Sequence, residues 1–509
     1  MRIWLRVTPD RARRWMADLA AACLAVGASV RLVETPGRPA PRLLALALEL
    51  DRLIVRRGRP SGADPIAAAE IAPQPDAEHR PDLVLDLTEG DAAAPLPAGA
   101  RLWRLAFDGH PGEDALVAAL AAGRAPLVTV VDGDGAVLER ARPSLERAHG
   151  LGEALATVGA RTTHLLAVRL AAEIAGRPRP VAPDLALDAP AERSPLRAVA
   201  ATLAHDLART VARLVFATPH WRVGWRRVDG PGLVDGAGFA TPFRPLPDAG
   251  TRFHADPFPV IWQGETVVFV EDFDHATDRG RISVVPFGPD GPTGPARPIV
   301  EEPWHLSYPF PVVVDGVLHL MPESTARRDL GLYRCIAFPD RWERVATLVD
   351  DAVVSDASLV EWAGRWWMFA TDEDGLGGWS DMLTIRSAPS VYGPWRRHAL
   401  DPVLIDAAAA RPAGCPWVAD GRLFRPVQDC LAGYGRAVTV AEVTRLDDDG
   451  FTQVPRRRIA PGPHWPGGRL HTVNRAGTLE VIDGAVLRPR LRALDPLIEP
   501  WFRPRGGAR

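Results

Sequence analysis

The sequence predicts a mainly β protein: a five-bladed β-propeller over residues 219–495, preceded by an α/β domain over residues 1–185. Three observations predict this. A stretch made of a polar opener, an apolar strand, a tight turn and a second apolar strand ending in polar residues begins at Asp256 (DPFPVIWQGETVVFVED) and then recurs. Tyr308 opens YPFPVVVDGVLHLMPES, Asp356 opens DASLVEWAGRWWMFATDED, Arg411 opens RPAGCPWVADGRLFRPVQD and His471 opens a shorter copy, HTVNRAGTLEVIDG. The openers are spaced 52, 48, 55 and 60 residues apart, close to the period of a propeller blade. Within each copy, alternating β-branched and aromatic residues broken by a Gly turn are a hairpin signal. Upstream, strand-like and helix-like runs alternate, which argues for a parallel or mixed sheet.

In the first domain, Ile3–Val7, Ser29–Val33, Leu83–Leu87 and Leu102–Phe107 are apolar enough for strands, with helices over Arg11–Val26, Leu43–Val55 and Asp114–Ala122. A Pro- and Ala-rich insertion runs through Arg80. Leu127–Val131 and Ala136–Arg140 flank a DGDG turn, and Thr162–Ile174 closes the domain as an amphipathic helix. Residues 186–218 combine a Pro-rich linker with a second amphipathic helix, Leu196–Phe216, with arginines on its polar face. Packing between domains and peripheral contact with a membrane surface through 196–216 are both open to that helix. In the propeller, Ile282–Phe287, Leu332–Phe338, Met382–Ser387 and Ala437–Val443 supply outer strands. The fifth copy is short. The strand at Trp221–Val228 is therefore expected to join its sheet and close the ring, removing open edges. Residues 496–509 form a basic tail.

Composition excludes several classes. A net charge of −3 gives no general attraction to nucleic acid. All 60 basic residues are Arg, which excludes a phosphate-loop or Schiff-base lysine, and no Gly-rich loop follows the first strand. Cys23, Cys335, Cys415 and Cys430 are scattered, without zinc-ligand spacing. Neither a metal nor a cofactor is expected. Reduced cysteines, no leader-like N-terminus and no apolar run of about 18 residues give the expectation of a cytoplasmic chain without a membrane span. Oligomeric state is left open.

Blade geometry directs attention to one end of the propeller. First strands run along the central axis and second strands return, so openers and second-strand ends meet at one mouth. Asp256, Tyr308, Asp356, Arg411 and His471 are expected there, surrounded by Glu271, Asp272, Glu323, Asp372, Glu373, Gln428 and Asp429. Trp262, Trp362 and Trp417 hold one shared hairpin position and read as packing, whereas Trp304, Trp379 and Trp465 are candidates for stacking on sugars.

The motifs FHADPF, EEPWHLSYPF, MPES, SDASL, ARPAG, RPVQDC, YG and HTVNR resemble the propeller domain shared with the N-terminal part of glucosamine inositolphosphorylceramide transferases. More distantly the chain looks like the five-bladed furanosidases of glycoside hydrolase families 43, 32 and 68. The element order of residues 1–185 resembles a formyltransferase-like domain. FDGHPGED supplies only His110 toward its catalytic pattern and lacks the Ser-Leu-Leu-Pro stretch, so that domain reads as degenerate.

The furanosidase resemblance implies carboxylates at the first and third openers, which Asp256 and Asp356 match, and a Glu acid. The fourth opener departs from the pattern, being Arg411. Glycosidic cleavage needs one carboxylate to attack or activate water and a second, protonated, to donate to the leaving oxygen. Asp256 is accordingly the expected base or nucleophile, Asp356 the orienting acid and Glu323 the proton donor, with Glu271 behind it. Asp272, His305, Tyr308, Asp372, Arg411, Arg425, Asp429, His471 and Arg475 complete the expected substrate-binding set. The resulting expectation is a carbohydrate-active protein that cleaves or transfers a glycosyl unit of a saccharide or glycoconjugate in envelope or exopolysaccharide metabolism. The alternatives are a non-catalytic glycan-binding module and an assembly scaffold.

Overall fold

The computed structural model describes residues 1–72, 80–90, 95–177, 194–239, 241–248, 250–375, 377–462, 465 and 467–490. Most of the expected linker and all of the tail at 496–509 lie outside these residues, as does most of the end of the insertion before Arg80. The chain divides into two compact units. One holds residues 1–208 with the short segments 375–381 and 400–406; the other holds the remainder.

The first unit is built on a mixed sheet. Its strands β1 (Arg2–Val7), β2 (Ser29–Glu34), β3 (Leu83–Asp86), β4 (Arg101–Phe107), β5 (His110–Pro111), β6 (Val128–Asp132) and β7 (Val137–Ala141) take the order β2-β1-β3-β4-β6-β7, with β5 on β4. The first three pairings are parallel and the last two antiparallel. Helices α1 (Arg14–Ala25), α2 (Arg42–Leu50), α3 (Glu113–Ala121) and α4 (Gly150–Ile174) accompany it. Helix α4 begins twelve residues before the expected Thr162. Its early glycines argue locally against a helix, yet they are what the packing requires. A Cβ on Gly159 would come within 2.6 Å of the Trp15 ring, and one on Gly152 within 2.5 Å of Asp51. The buried Asp51 accepts the Leu151 and Gly152 N–H groups at 2.9 and 3.1 Å, satisfying donors that the first turn of α4 leaves open. His110 is exposed on β5.

The second unit is the propeller. Five sheets follow one another: Arg252–Trp262, Glu265–Asp274, Arg279–Gly288 and Arg297–Val300; Ser307–Val314, Val317–Ser324, Asp329–Ala337 and Arg341–Val349; Val353–Trp362, Arg365–Glu373, Met382–Ala388 and Arg396–Arg397; Trp417–Ala419, Arg422–Asp429, Ala437–Asp447 and Gly450–Ile459; then Val473–Ala476 and Leu479–Pro489. The last sheet is completed by β8 (Phe216–Arg227), which follows helix α5 (Pro195–Val215) and pairs antiparallel with Leu479–Pro489, Val223 opposite Asp483. The ring is thus closed by the two ends of the propeller sequence. Between blades the core is apolar and aromatic: Phe258 meets Tyr308 edge to face at 4.9 Å, and Phe269 meets Trp342 at 5.7 Å. Trp465 belongs to this interior, buried against Phe243, and is not available for stacking on a sugar. Arginines lie over the other two candidate tryptophans, Arg327 on Trp304 and Arg147 on Trp379.

Candidate functional site

The openers reach the axis through a shared backbone distortion. In each of the first three blades the opening strand slips register at a bulge, between Ala255 and Phe258, Ser307 and Phe310, and Ser355 and Ser358. The residue inside each bulge has a positive φ: 48° at Asp256, 43° at Tyr308 and 50° at Asp356. A left-handed conformation costs a non-glycine residue about 1–3 kcal/mol, so its repetition at three equivalent places needs compensation. Carboxylates of neighbouring strands provide it. The Asp256 N–H donates to Asp483 (2.9 Å), the Tyr308 N–H to Asp256 (3.2 Å) and the Asp356 N–H to Glu323 (2.9 Å).

These bonds run from blade five to blade one, from one to two, and across two to three. The circuit is completed by side chains. Asp356 Oδ2 accepts Arg411 Nε at 2.6 Å and Gln428 Nε2 at 2.7 Å, and the Arg411 guanidinium lies over the Tyr434 ring at 4.9 Å. Tyr434 meets His471 edge-on, and Trp221 of the closing strand stacks on His471 at 4.0 Å. His471 Nδ1 is 2.6 Å from Asp483, while Nε2 is 3.4 Å from Asp256. Thr472 adds a hydroxyl donated to Asp256 at 3.0 Å.

One layer below, a second set of bonds crosses the axis. The Tyr308 phenol reaches Ser358 of blade three at 2.9 Å and accepts the Gly414 N–H of blade four at 2.8 Å. The next residue, Cys415, donates its N–H to Asn474 of blade five, whose amide donates to the Pro257 carbonyl of blade one at 2.9 Å. All five blades are tied by this belt. Gly414 is needed in it, because a Cβ there would sit 2.3 Å from the Val473 carbonyl. The polar ring therefore has a hydrogen-bonded floor, and the Tyr308 side chain belongs to that floor and not to the expected substrate contacts.

Strand alternation sorts the remaining expected residues. Glu271, Glu323, Thr371, Gln428 and Asp483 end the second strands on the axial side. Their successors face the other side of the sheet. There Asp272 is held by Arg252, Arg281 and Ser283 at 2.7, 3.0 and 2.9 Å. Asp372 is held by Arg386, Thr384 and Arg397, and Asp429 by Arg458 at 2.6 Å. Asp272, Asp372 and Asp429 thus stand in lateral ion pairs, away from the ring where all three were expected. Arg425 is also elsewhere: it is fully buried beside Phe369 and donates to the Ala410 carbonyl. Arg475 sits at a hairpin turn, binding the Val228 and Gly230 carbonyls. His305 stays near the ring, with Nε2 3.5 Å from Glu271. Asp483, Thr472 and Tyr434 were missed. The signal for Asp483 was present, since it occupies in the fifth copy the place of Glu271 and Glu323; the short hairpin obscured that alignment.

Electrostatics divide the two populations. Burial pushes Asp256 up to about 6 despite His471 beside it, with Asp483 and Asp356 adding to the rise. Burial, then the charge of Asp356, pushes Glu323 up to about 8. Burial, then Asp256 and Glu323, raises Glu271 well above the usual carboxylate range. Burial alone would lower His471, but Asp483 and Asp256 outweigh it and raise the imidazole. Asp256, His471 and Asp483 place potential ligand atoms within 4.8 Å of one another. The His471 ring stands between the two carboxylates, 2.6 Å from Asp483 and 3.4 Å from Asp256. The lateral acids behave oppositely. Burial opposes ionisation of Asp272 and Asp372, yet Arg252 and Ser283 for the first and Arg386 and Arg397 for the second hold both below the ordinary value.

Residues 247–476 match the family model described as glucosamine inositolphosphorylceramide transferase 1, N-terminal. The protein of that name from Oryza sativa subsp. indica is 33% identical over 249 residues, covering 46% of this chain and 33% of the relative. Its Arabidopsis thaliana counterpart is 31% identical over 209 residues, covering 40% and 27%. The chain spans about a third of the length of these relatives or less. Among solved structures, a family 117 glycoside hydrolase from Zobellia galactanivorans is similar at a TM-score of 0.33 and 13% identity, covering 48% of this chain and 77% of that one. A GH43_1 enzyme from Xanthomonas citri is similar at 0.33 and 10%, covering 50% and 91%. Residues 247–476 of this five-bladed propeller are thus similar in sequence to the N-terminal part of glucosamine inositolphosphorylceramide transferases.

Proposed function

We propose that the axial ring binds a saccharide or glycoconjugate and cleaves or transfers a glycosyl unit. One observation carries this reading: buried carboxyls with separated proton affinities share a single floored ring, Asp256 at about 6 and Glu323 at about 8. Near neutral pH the first is largely ionised and the second largely protonated, the division of labour that glycosyl transfer requires. In this reading Asp256 acts as base or nucleophile and Glu323 donates the proton to the leaving oxygen. Asp356, pinned by Arg411 and Gln428, orients the site, and Glu271 is a reserve acid. Arg411 and His471 face substrate hydroxyls or an anionic group. The plant relatives are named as transferases of glucosamine and inositolphosphorylceramide, which favours amino sugars and inositol-linked glycoconjugates as first probes. The N-terminal unit is read as a degenerate scaffold.

A second reading has its own support. Arg411 is the opener that departs from the furanosidase pattern, and it pairs with Asp356. That favours a ring retained for glycan binding without turnover. A glycan array followed by product analysis of each hit separates the two. Released or transferred sugar, lost in Glu323→Gln, supports catalysis; binding with no product supports the module; a blank array overturns both.

A further inference from the structure

We propose that helix α5 docks on the surface of an anionic lipid bilayer. Leu196, Val199, Leu203, Leu207, Val211 and Leu214 recur every three or four residues, so they lie along one side of the helix. A helix with such a stripe ordinarily buries it. Here the stripe is open along most of its length: Leu207 is 68% exposed, Val211 52% and Leu214 74%. Among the described residues nothing covers those three side chains. No helix of the described residues is long and apolar enough to cross a membrane, so the geometry available to α5 is to lie in the interface.

Charge selects the occupant. The helix sequence carries Arg197, Arg209 and Arg213 against one acid, Asp206, and that carboxylate lies 2.9 Å from His149 Nε2. A second copy of this helix would add the same net positive charge and no opposite one. An anionic bilayer supplies the opposite charge, and arginine stems can lie along the apolar boundary while their heads stay in water. The chain as a whole is at −3, so this positive charge is local to the helix.

The position of α5 gives such docking a consequence. The helix continues directly into β8, where Phe216 pairs with Pro489 and Val223 with Asp483. The strand therefore enters blade five from the end on which the ring lies, having passed the hairpin-turn side by. A docked helix would lead into the propeller beside the polar ring, which suits a sugar carried on a lipid. That last point rests on the saccharide reading above; the docking itself does not.

Co-sedimentation of the full chain with vesicles of phosphatidylcholine alone, and of phosphatidylcholine mixed with phosphatidylglycerol, tests the proposal without any assay of turnover. Binding is expected on the mixed vesicles and should weaken as salt rises. The double variant Leu207→Glu and Leu214→Glu should bind about ten-fold more weakly or less, with an unchanged melting temperature because both side chains are exposed. No binding of the folded wild type to mixed vesicles overturns the proposal, as does equal binding by the variant. A wild-type dimer that the same variant dissociates, without vesicle binding, would assign the stripe to a second copy.

Discussion

The axial and lateral faces of the second strands, one residue apart in sequence, show how position sets chemistry here. Glu271 faces the axis and Asp272 the side of the blade; Thr371 and Asp372, and Gln428 and Asp429, repeat the split. On the lateral side each acid meets an arginine from another strand of its own sheet, and the pair fastens the sheet. On the axial side five blades converge; Arg411 pairs with Asp356, His471 lies between Asp256 and Asp483, and Glu271 and Glu323 have no arginine within ion-pair distance among the described residues. Acids outnumber cations there, and two of them take up protons near neutrality. A propeller can thus place an arginine-paired carboxylate and an axial carboxylate of raised proton affinity side by side in sequence, as at Asp272 and Glu271, using nothing more than strand alternation.

The comparison breaks most decisively on turnover. Asp256→Asn and Glu323→Gln should each lower kcat by on the order of a hundred-fold or more, with the fold retained, if the axial row is reactive. Asp372→Asn should leave the rate per folded molecule near wild type. An equal loss of rate in all three would erase the distinction.

Stability should show the reverse ranking. Asp372→Ala strips the partner from the buried Arg386, and breaking such a pair costs about 3–5 kcal/mol. Denaturant melts of Asp372→Ala and Glu323→Gln check this; a neutral Asp372→Ala would mean the lateral pair is not structural.

The pH profile sharpens the contrast. The rate should rise as Asp256 ionises through about 6 and fall as Glu323 loses its proton through about 8. In Glu323→Gln the alkaline limb should vanish from whatever residual rate remains. A profile flat from pH 5 to about pH 9 would remove both residues from the chemistry.

The smallest expected effect is on melting temperature. Glu323 is raised in the folded state, so its contribution is fully present below the unfolded value near 4.5 and is lost as pH rises through about 8. Glu323→Gln has no such proton to lose. Its melting temperature should therefore gain on wild type as pH goes from 5 to about 9, whereas Asp372 variants, whose carboxylate is lowered, should lose most above the ordinary carboxylate range. Parallel curves for wild type and Glu323→Gln would show that the glutamate is not protonated in the fold.

The sequence by itself determined the propeller. Five hairpin copies at blade spacing, the shortness of the fifth and the strand at Trp221 were enough, because period and alternation are local properties of a chain. It also placed Asp256, Asp356, Glu323, Glu271, Arg411 and His471 together, since openers must converge where first strands begin. Tertiary structure decided the rest. Which of two adjacent acids faced the axis depended on register and on bulges at Asp256, Tyr308 and Asp356, and a one-residue slip moves a side chain to the opposite face. The length of α4 depended on Trp15 and Asp51 needing its glycines. The floor beneath the ring, joining Tyr308, Ser358, Gly414, Cys415, Asn474 and Pro257, required contacts between residues as much as 217 apart in sequence. Proton affinities followed last, because burial and the fields of neighbouring charges exist only once all five blades have closed.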